Sequence, residues 1–209
     1  MATATMNETR KPAAPGPQPT KRSWKSVLIY LFLGFVAVIG VLCAVIASRP
    51  ADFKVSRSAT FSATPAAVFE QVNDLHKWND WSPWAKMDPN SKATYEGPTA
   101  GEGAKMAWDG NNDVGAGDMT IVDSKPNDRV GIKLHFVRPM EGECDVLMQI
   151  EPAGDQTKLT WNMSGKNGFM AKAIGLFMDC EKMCGDQFEV GLANLKKVVE
   201  TKPDALKGA

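Results

Sequence analysis

Two histidines, four cysteines and six tryptophans carry most of the chemistry available to this chain of 209 residues. His76 and His135 are far apart in sequence and sit in no metal-ligand spacing. His135 falls on the polar side of an alternating segment and reads as a surface histidine. His76 stands at the end of a short helical pattern, where an imidazole suits the negative helix end. Proton transfer is its chemical alternative. Cys180 and Cys184 are four apart, so both fall on one helical face, but two thiols with no histidine beside them form no metal signature. Cys144, inside a strand pattern, reads as a small buried apolar residue. Arg57 lies on the apolar side of its strand, which calls for an anionic partner: Glu96, Asp145 or a ligand carboxylate. Trp78, Trp81 and Trp84 recur every third residue. They read as a packing cluster, with the lip of a binding site as the second reading. There is no phosphate-binding glycine loop, nucleophile elbow or metalloprotease helix. The sequence thus assigns no catalytic residue, no metal and no cofactor.

The elements that must position these residues begin with an apolar run. Val27 to Ala47 has 21 residues without a charge. As a helix it would span roughly 31 Å, the thickness of a bilayer core. Trp24 and Tyr30 stand near its start, where amphipathic rings favour the headgroup layer. We therefore expect a single transmembrane helix over 26–48, with a cleaved signal peptide as the rival reading. Lys21, Arg22 and Lys25 precede the run, whereas Arg49 and Asp52 follow it. This places the N-terminus in the cytoplasm and the main domain outside it. Residues 1–25 hold Pro12, Pro15, Pro17 and Pro19 and read as a disordered tail. Residues 201–209 read as a frayed end.

The formal net charge is zero, but it is unevenly divided. Up to Pro50 there are six basic residues and one acid, which leaves 18 basic against 23 acidic residues from Ala51 onward. A domain with this excess of acid repels a phosphate backbone, so nucleic acid is excluded as its partner.

Residues 52–200 form one domain-sized stretch. Phe53, Val55, Ala59 and Phe61 alternate with polar residues as a half-buried strand. Thr64 and Pro65 are a cap and a first-turn proline for a short helix ending near Leu75. Further strands are expected at Lys92–Glu96, Ala104–Trp108, Met119–Ile121, Val130–Phe136, Cys144–Ile150 and Leu159–Met163. Short turns join them into an antiparallel meander. After Gly165 the period becomes helical. One stripe holds Met170, Ala173, Ile174, Phe177 and Met178, and a second holds Phe188, Leu192, Leu195 and Val199, with a break expected near Gly185. The fold class is α+β: a long terminal helix laid across a curved sheet.

Asp74 with Trp78, Trp81-Ser82-Pro83-Trp84, Tyr95-Glu96-Gly97-Pro98, Met163-Ser164-Gly165-Lys166-Asn167 and Gly191-Leu192-Ala193-Asn194-Leu195-Lys196 resemble the START-like (SRPBCC) superfamily. Within it they look most like the bacterial proteins labelled polyketide cyclase/dehydrase and lipid transport. The resemblance implies a helix-grip fold over 52–200 with a cavity between the terminal helix and the concave sheet face. On that fold the expected lining is Trp84, Met106, Trp108, Met148, Trp161, Met163, Phe188 and Leu192. A small hydrophobic ligand, a lipid or polycyclic compound, is the expected partner, alongside the membrane engaged through residues 27–47, the bacterial inner membrane on this resemblance. The alternatives are a cyclase/dehydrase-type enzyme, with Asp74, His76 or Glu96 as its acid or base, and a co-chaperone-like interaction module exposing a large apolar patch. Oligomeric state is not encoded in any of these patterns.

Overall fold

The structure is a computed structural model of the chain and describes residues 24–201. The tails expected at 1–25 and 201–209 lie almost wholly outside the described residues. The chain divides after Val45 into two compact units. The first contains most of helix α1, Trp24–Ser48. Its apolar side chains are exposed almost throughout, Phe32, Leu33 and Val38 among them. The helix is long and apolar enough to cross a membrane. An N-terminal helix of this kind serves as a membrane anchor or as a signal sequence.

The second unit is built on a seven-stranded antiparallel sheet in the order β1-β7-β6-β5-β4-β3-β2. Its strands are β1 (Asp52–Phe61), β2 (Lys92–Glu96), β3 (Lys105–Asp109), β4 (Ala116–Lys125), β5 (Arg129–Arg138), β6 (Gly142–Ala153) and β7 (Gln156–Lys166). From β2 to β7 each strand pairs with its neighbour in sequence, as the short turns require. The β4–β5 turn places Asn127 at φ 61, a left-handed conformation that asparagine tolerates. β1 closes the far edge by pairing with β7, Asp52 opposite Lys166 and Phe61 opposite Thr157.

Between β1 and β2 run α2 (Pro65–Asn73), α3 (Trp78–Trp81) and α4 (Pro83–Met87). Thr64 caps α2 by accepting a hydrogen bond from the Ala67 N–H at 3.3 Å, and Pro65 occupies the first turn. α5 (Phe169–Ile174) and α6 (Cys180–Glu200) follow the sheet. Asp179 caps α6 through the Lys182 N–H at 2.8 Å. The apolar stripe of α6, Phe188, Leu192, Leu195 and Val199, is buried against the sheet, together with Val55, Phe61, Ile121, Ile132, Met148 and Leu159.

Two expectations about the last segment need correction. Gly185 does not break the helix; α6 runs through it and the break falls at 175–179. Gly185 is a contact residue, because a Cβ there would lie 2.1 Å from Arg57 Nη2. The second correction concerns Met170, Phe177 and Met178, whose stripe packs into no core. α5 follows the end of β7 and buries none of its residues.

Candidate functional site

The inner face of the sheet carries one side chain in two from each strand, and on β5, β6 and β7 their burial falls toward one end. On β5, Ile132 is buried, Leu134 and Phe136 are half-buried, and Arg138 is exposed. On β6 and β7, Met148 and Trp161 are closed off more fully than Val146 and Met163. The sheet and α6 therefore meet tightly at one end and part at the other. A cavity of about 600 Å³ opens there, within the ~300–1,000 Å³ of small-molecule sites.

Its roof comes from α3, α4 and α6. Trp78 donates its indole N–H to the Val72 carbonyl at 3.0 Å, and Trp81 donates to the Gln71 carbonyl at 3.3 Å. These bonds fasten α3 to α2. Trp81 is fully buried as a packing residue, whereas Trp78 and Trp84 also reach the cavity. Trp161 stacks on Phe188 at 4.2 Å between ring centres, 6° from parallel, and Trp84 meets both rings edge-on. This stack joins sheet to helix. Gly191 lets the helix approach: a Cβ there would lie 3.0 Å from the Trp161 ring and 3.2 Å from Pro83. On the other wall Trp108 lies across Gly117, where an added Cβ would come within 2.7 Å of the indole, and Phe136 meets Trp108 at 5.9 Å.

Six of the eight residues expected at the cavity line it: Trp84, Met106, Trp108, Trp161, Met163 and Phe188. Met148 and Leu192 do not. They point inward as expected but lie at the closed end, where sheet and helix leave no space. Met119, Ile132, Leu134, Phe136 and Cys184 also line the cavity. For the four strand residues, the inward face shared with Met106 and Trp108 was the available signal; Cys184 lies on α6, one turn before Phe188. Asp88, Asp113 and Arg138 at the mouth come from loops and a strand end, where no periodicity marks them. Asp88 accepts from the backbone N–H groups of Asn90 and Asn111, and Arg138 pairs with Asp109, so these two charges also hold the rim together.

The groups considered for proton transfer lie elsewhere. Asp74, His76 and Glu96 are not among the lining residues. His76 does not cap helix carbonyls. Its Nδ1 lies 3.2 Å from Asp74 Oδ1, and its ring stacks on Tyr95 at 4.0 Å. His135 is half-buried rather than fully at the surface, with its Nδ1 3.2 Å from Asp118 Oδ2. Arg57 is ion-paired as expected, but with Glu189 of α6 at 2.8 Å rather than Glu96 or Asp145. Cys184 faces the cavity as a neutral thiol, its pKa raised chiefly by burial and further by Cys180. Burial, then Cys184 and Asp145, push Cys144 up to about 11. Neither is a thiolate near neutral pH.

The match to a family model settles the kinship, because residues 52–200 fit the model described as polyketide cyclase / dehydrase and lipid transport. The chain belongs to this family. No curated protein matches the chain. Solved structures share the START-like helix-grip fold. A protein from Chromobacterium violaceum aligns with TM-score 0.53 at 15% identity, over 71% of this chain and 98% of its own. The Aha1 dimer from Colwellia psychrerythraea gives 0.52 at 18%, over 71% and 97%. Ginseng major latex-like protein 151 from Panax ginseng gives 0.51 at 13%, over 72% and 99%. Family and fold together point to a domain that binds hydrophobic ligands.

Proposed function

We propose that residues 52–200 bind one small hydrophobic molecule, a lipid or polycyclic compound, in the cavity under α6, and that α1 holds this domain at a membrane. The observation that carries the reading is the cavity: about 600 Å³ of open space walled by Trp84, Trp108, Phe136, Trp161, Met163 and Phe188. At ~30 Å³ per water-sized volume it has room for roughly 20 non-hydrogen atoms. Rigid indoles offer flat walls and methionines adapt to an irregular guest. The polar groups gather at the mouth, which suits a ligand whose apolar body enters first and whose polar end stays near water. The deep part offers no acid or base to a reacting centre, so binding is the favoured reading over catalysis.

In this reading 26–48 is an uncleaved single-pass anchor, with residues 1–25 on the cytoplasmic side and 52–200 on the other. The basic cluster Lys21, Arg22 and Lys25 supports that orientation. Tethering raises the encounter rate of the domain with membrane-derived ligands.

The test uses the full chain in polymer-bounded lipid discs, titrated with a dansyl-labelled fatty acid. Energy transfer from the cavity tryptophans to dansyl saturates at one probe per chain. A signal that grows only linearly, as partition into lipid does, overturns the proposal.

A further inference from the structure

Besides the cavity, the domain carries a second apolar feature. Between Phe169 and Met183, five large apolar side chains face solvent: Phe169, Met170, Phe177, Met178 and Met183. Phe177 is 86% exposed. Together they present on the order of 500 Å² of apolar surface, near the upper range for a soluble monomer. None of the five belongs to the core packed between sheet and α6, and none lines the cavity.

The chain's own connectivity says what covers it. α1 ends at Ser48, and Ala51 follows three residues later, within about 10 Å even when extended. The Ala51 carbonyl accepts a hydrogen bond from the Asn167 N–H at 2.7 Å, and Asp52 pairs with Lys166. α5 starts at Phe169, two residues beyond Asn167. The apolar segment is thus stitched to the backbone at the point where the chain leaves α1. If α1 spans a bilayer, the segment is held at its surface. Interfacial apolar helices bury their faces ~5–10 Å into such a surface.

We propose that the Phe169–Met183 segment docks into the lipid bilayer in which α1 is anchored. The inference rests on reading α1 as an anchor. It also gives the cavity a direction. Arg138 ends β5 at the same sheet end as Asp52 and Lys166, and Asp113 and Pro139 lie in turns at that end. The mouth therefore opens at the same sheet end as the strand that follows α1, so a docked Phe169–Met183 segment brings that end toward the lipid.

The experiment uses the full chain with Cys43, Cys144, Cys180 and Cys184 each replaced by Ala, reconstituted into phosphatidylcholine vesicles. A nitrobenzoxadiazole label is placed on Phe177→Cys, on Met170→Cys, or on Asp155→Cys in the β6–β7 turn at the opposite sheet end. Flotation with the vesicles after alkaline washing reports the anchor. Quenching by doxyl lipid reports the docking. We expect flotation, at least two-fold quenching at position 177 or 170, and under a fifth at position 155. Flotation with equal, weak quenching at all three positions overturns the docking and leaves the anchor standing. Loss of flotation overturns the anchor, and the docking with it. A blue-shifted label at 177 that doxyl lipid does not quench means protein covers the segment, which also overturns the proposal.

Discussion

Filling the cavity from one wall separates a ligand site from a packing defect. Leu134 projects from β5 into open space and is only half-buried. Leu134→Trp keeps the site apolar and sends an indole into the void. If the ~600 Å³ is open space, the added ring buries roughly 50–100 Å² more apolar surface, a gain of about 1–2.5 kcal/mol. Imperfect repacking against Trp108 and Phe136 costs about 1–3 kcal/mol. The two nearly cancel, so the ligand-free variant unfolds within about 1 kcal/mol of the parent. Ligand response behaves differently. A ligand at 100 times its Kd stabilises the parent by about 2.7 kcal/mol, which for a domain of this size raises Tm by about 5–11 °C. In the variant that rise falls below about 2 °C, because the same space is occupied. Thermal unfolding followed by tryptophan fluorescence, with and without the dansyl fatty acid, reads both quantities. A variant with an intact ligand response places the ligand elsewhere. A variant destabilised by more than about 3 kcal/mol shows that the wall has no room behind it.

Other expectations follow from single contacts. Gly185→Ala and Gly191→Ala sit on one helix yet should part company. At 185 the new Cβ meets only the flexible Arg57 guanidinium, so a better helix former offsets the weakened exposed ion pair and stability changes by less than about 1 kcal/mol. At 191 it meets the Trp161 ring and Pro83, both rigid, and urea denaturation should show a loss of about 1–3 kcal/mol. Trp161 is buried and its indole N–H has no hydrogen-bond partner among the described residues. Trp161→Phe relieves that desolvation, worth about 1–3 kcal/mol, against lost packing. It should therefore cost under about 1.5 kcal/mol by the same denaturation, against about 3–5 for Trp161→Ala. Equal losses would mean that the N–H has a partner in solution. The Cys144 pKa stands at about 11, above the ordinary 9.0, so folding favours the protonated thiol. Its contribution is complete below pH 9 and drains away as pH rises toward 11, the reverse of a paired carboxylate. Cys144→Ala should flatten the fall in Tm over that window.

Much of the domain was legible because alternation and short turns act locally. Val130 to Phe136 and Leu159 to Met163 announced both their strands and the faces that would be buried. Thr64 and Pro65 announced the start of α2. The pairing of β1 with β7 had no local signal, since it joins segments about a hundred residues apart. The same distance hid Glu189 as the partner of Arg57: the ion pair was demanded by Arg57 on an apolar face, but its partner lay on another element. Gly185 misled because a helical glycine resembles a break until the side chain packed over it is known. The cavity followed the same logic. The inward face of each strand was readable, so Trp108 and Met163 were found. Where that face stops touching the helix was not readable, and so Met148 and Leu192 were placed beside a void that ends before reaching them.

The outermost strand, β2, has a further consequence. None of its five residues is buried; within the sheet it pairs with β3 alone, and outside it Tyr95 holds it through the His76 ring and the Asn79 amide. On the other side α6 packs along β1, and the Trp161–Phe188 stack locks it to β7. The container therefore has one stiff half and one compliant half. On the proposed ligand-binding reading, a wider guest bends this margin outward against the Tyr95 contacts, while the opposite half holds its shape.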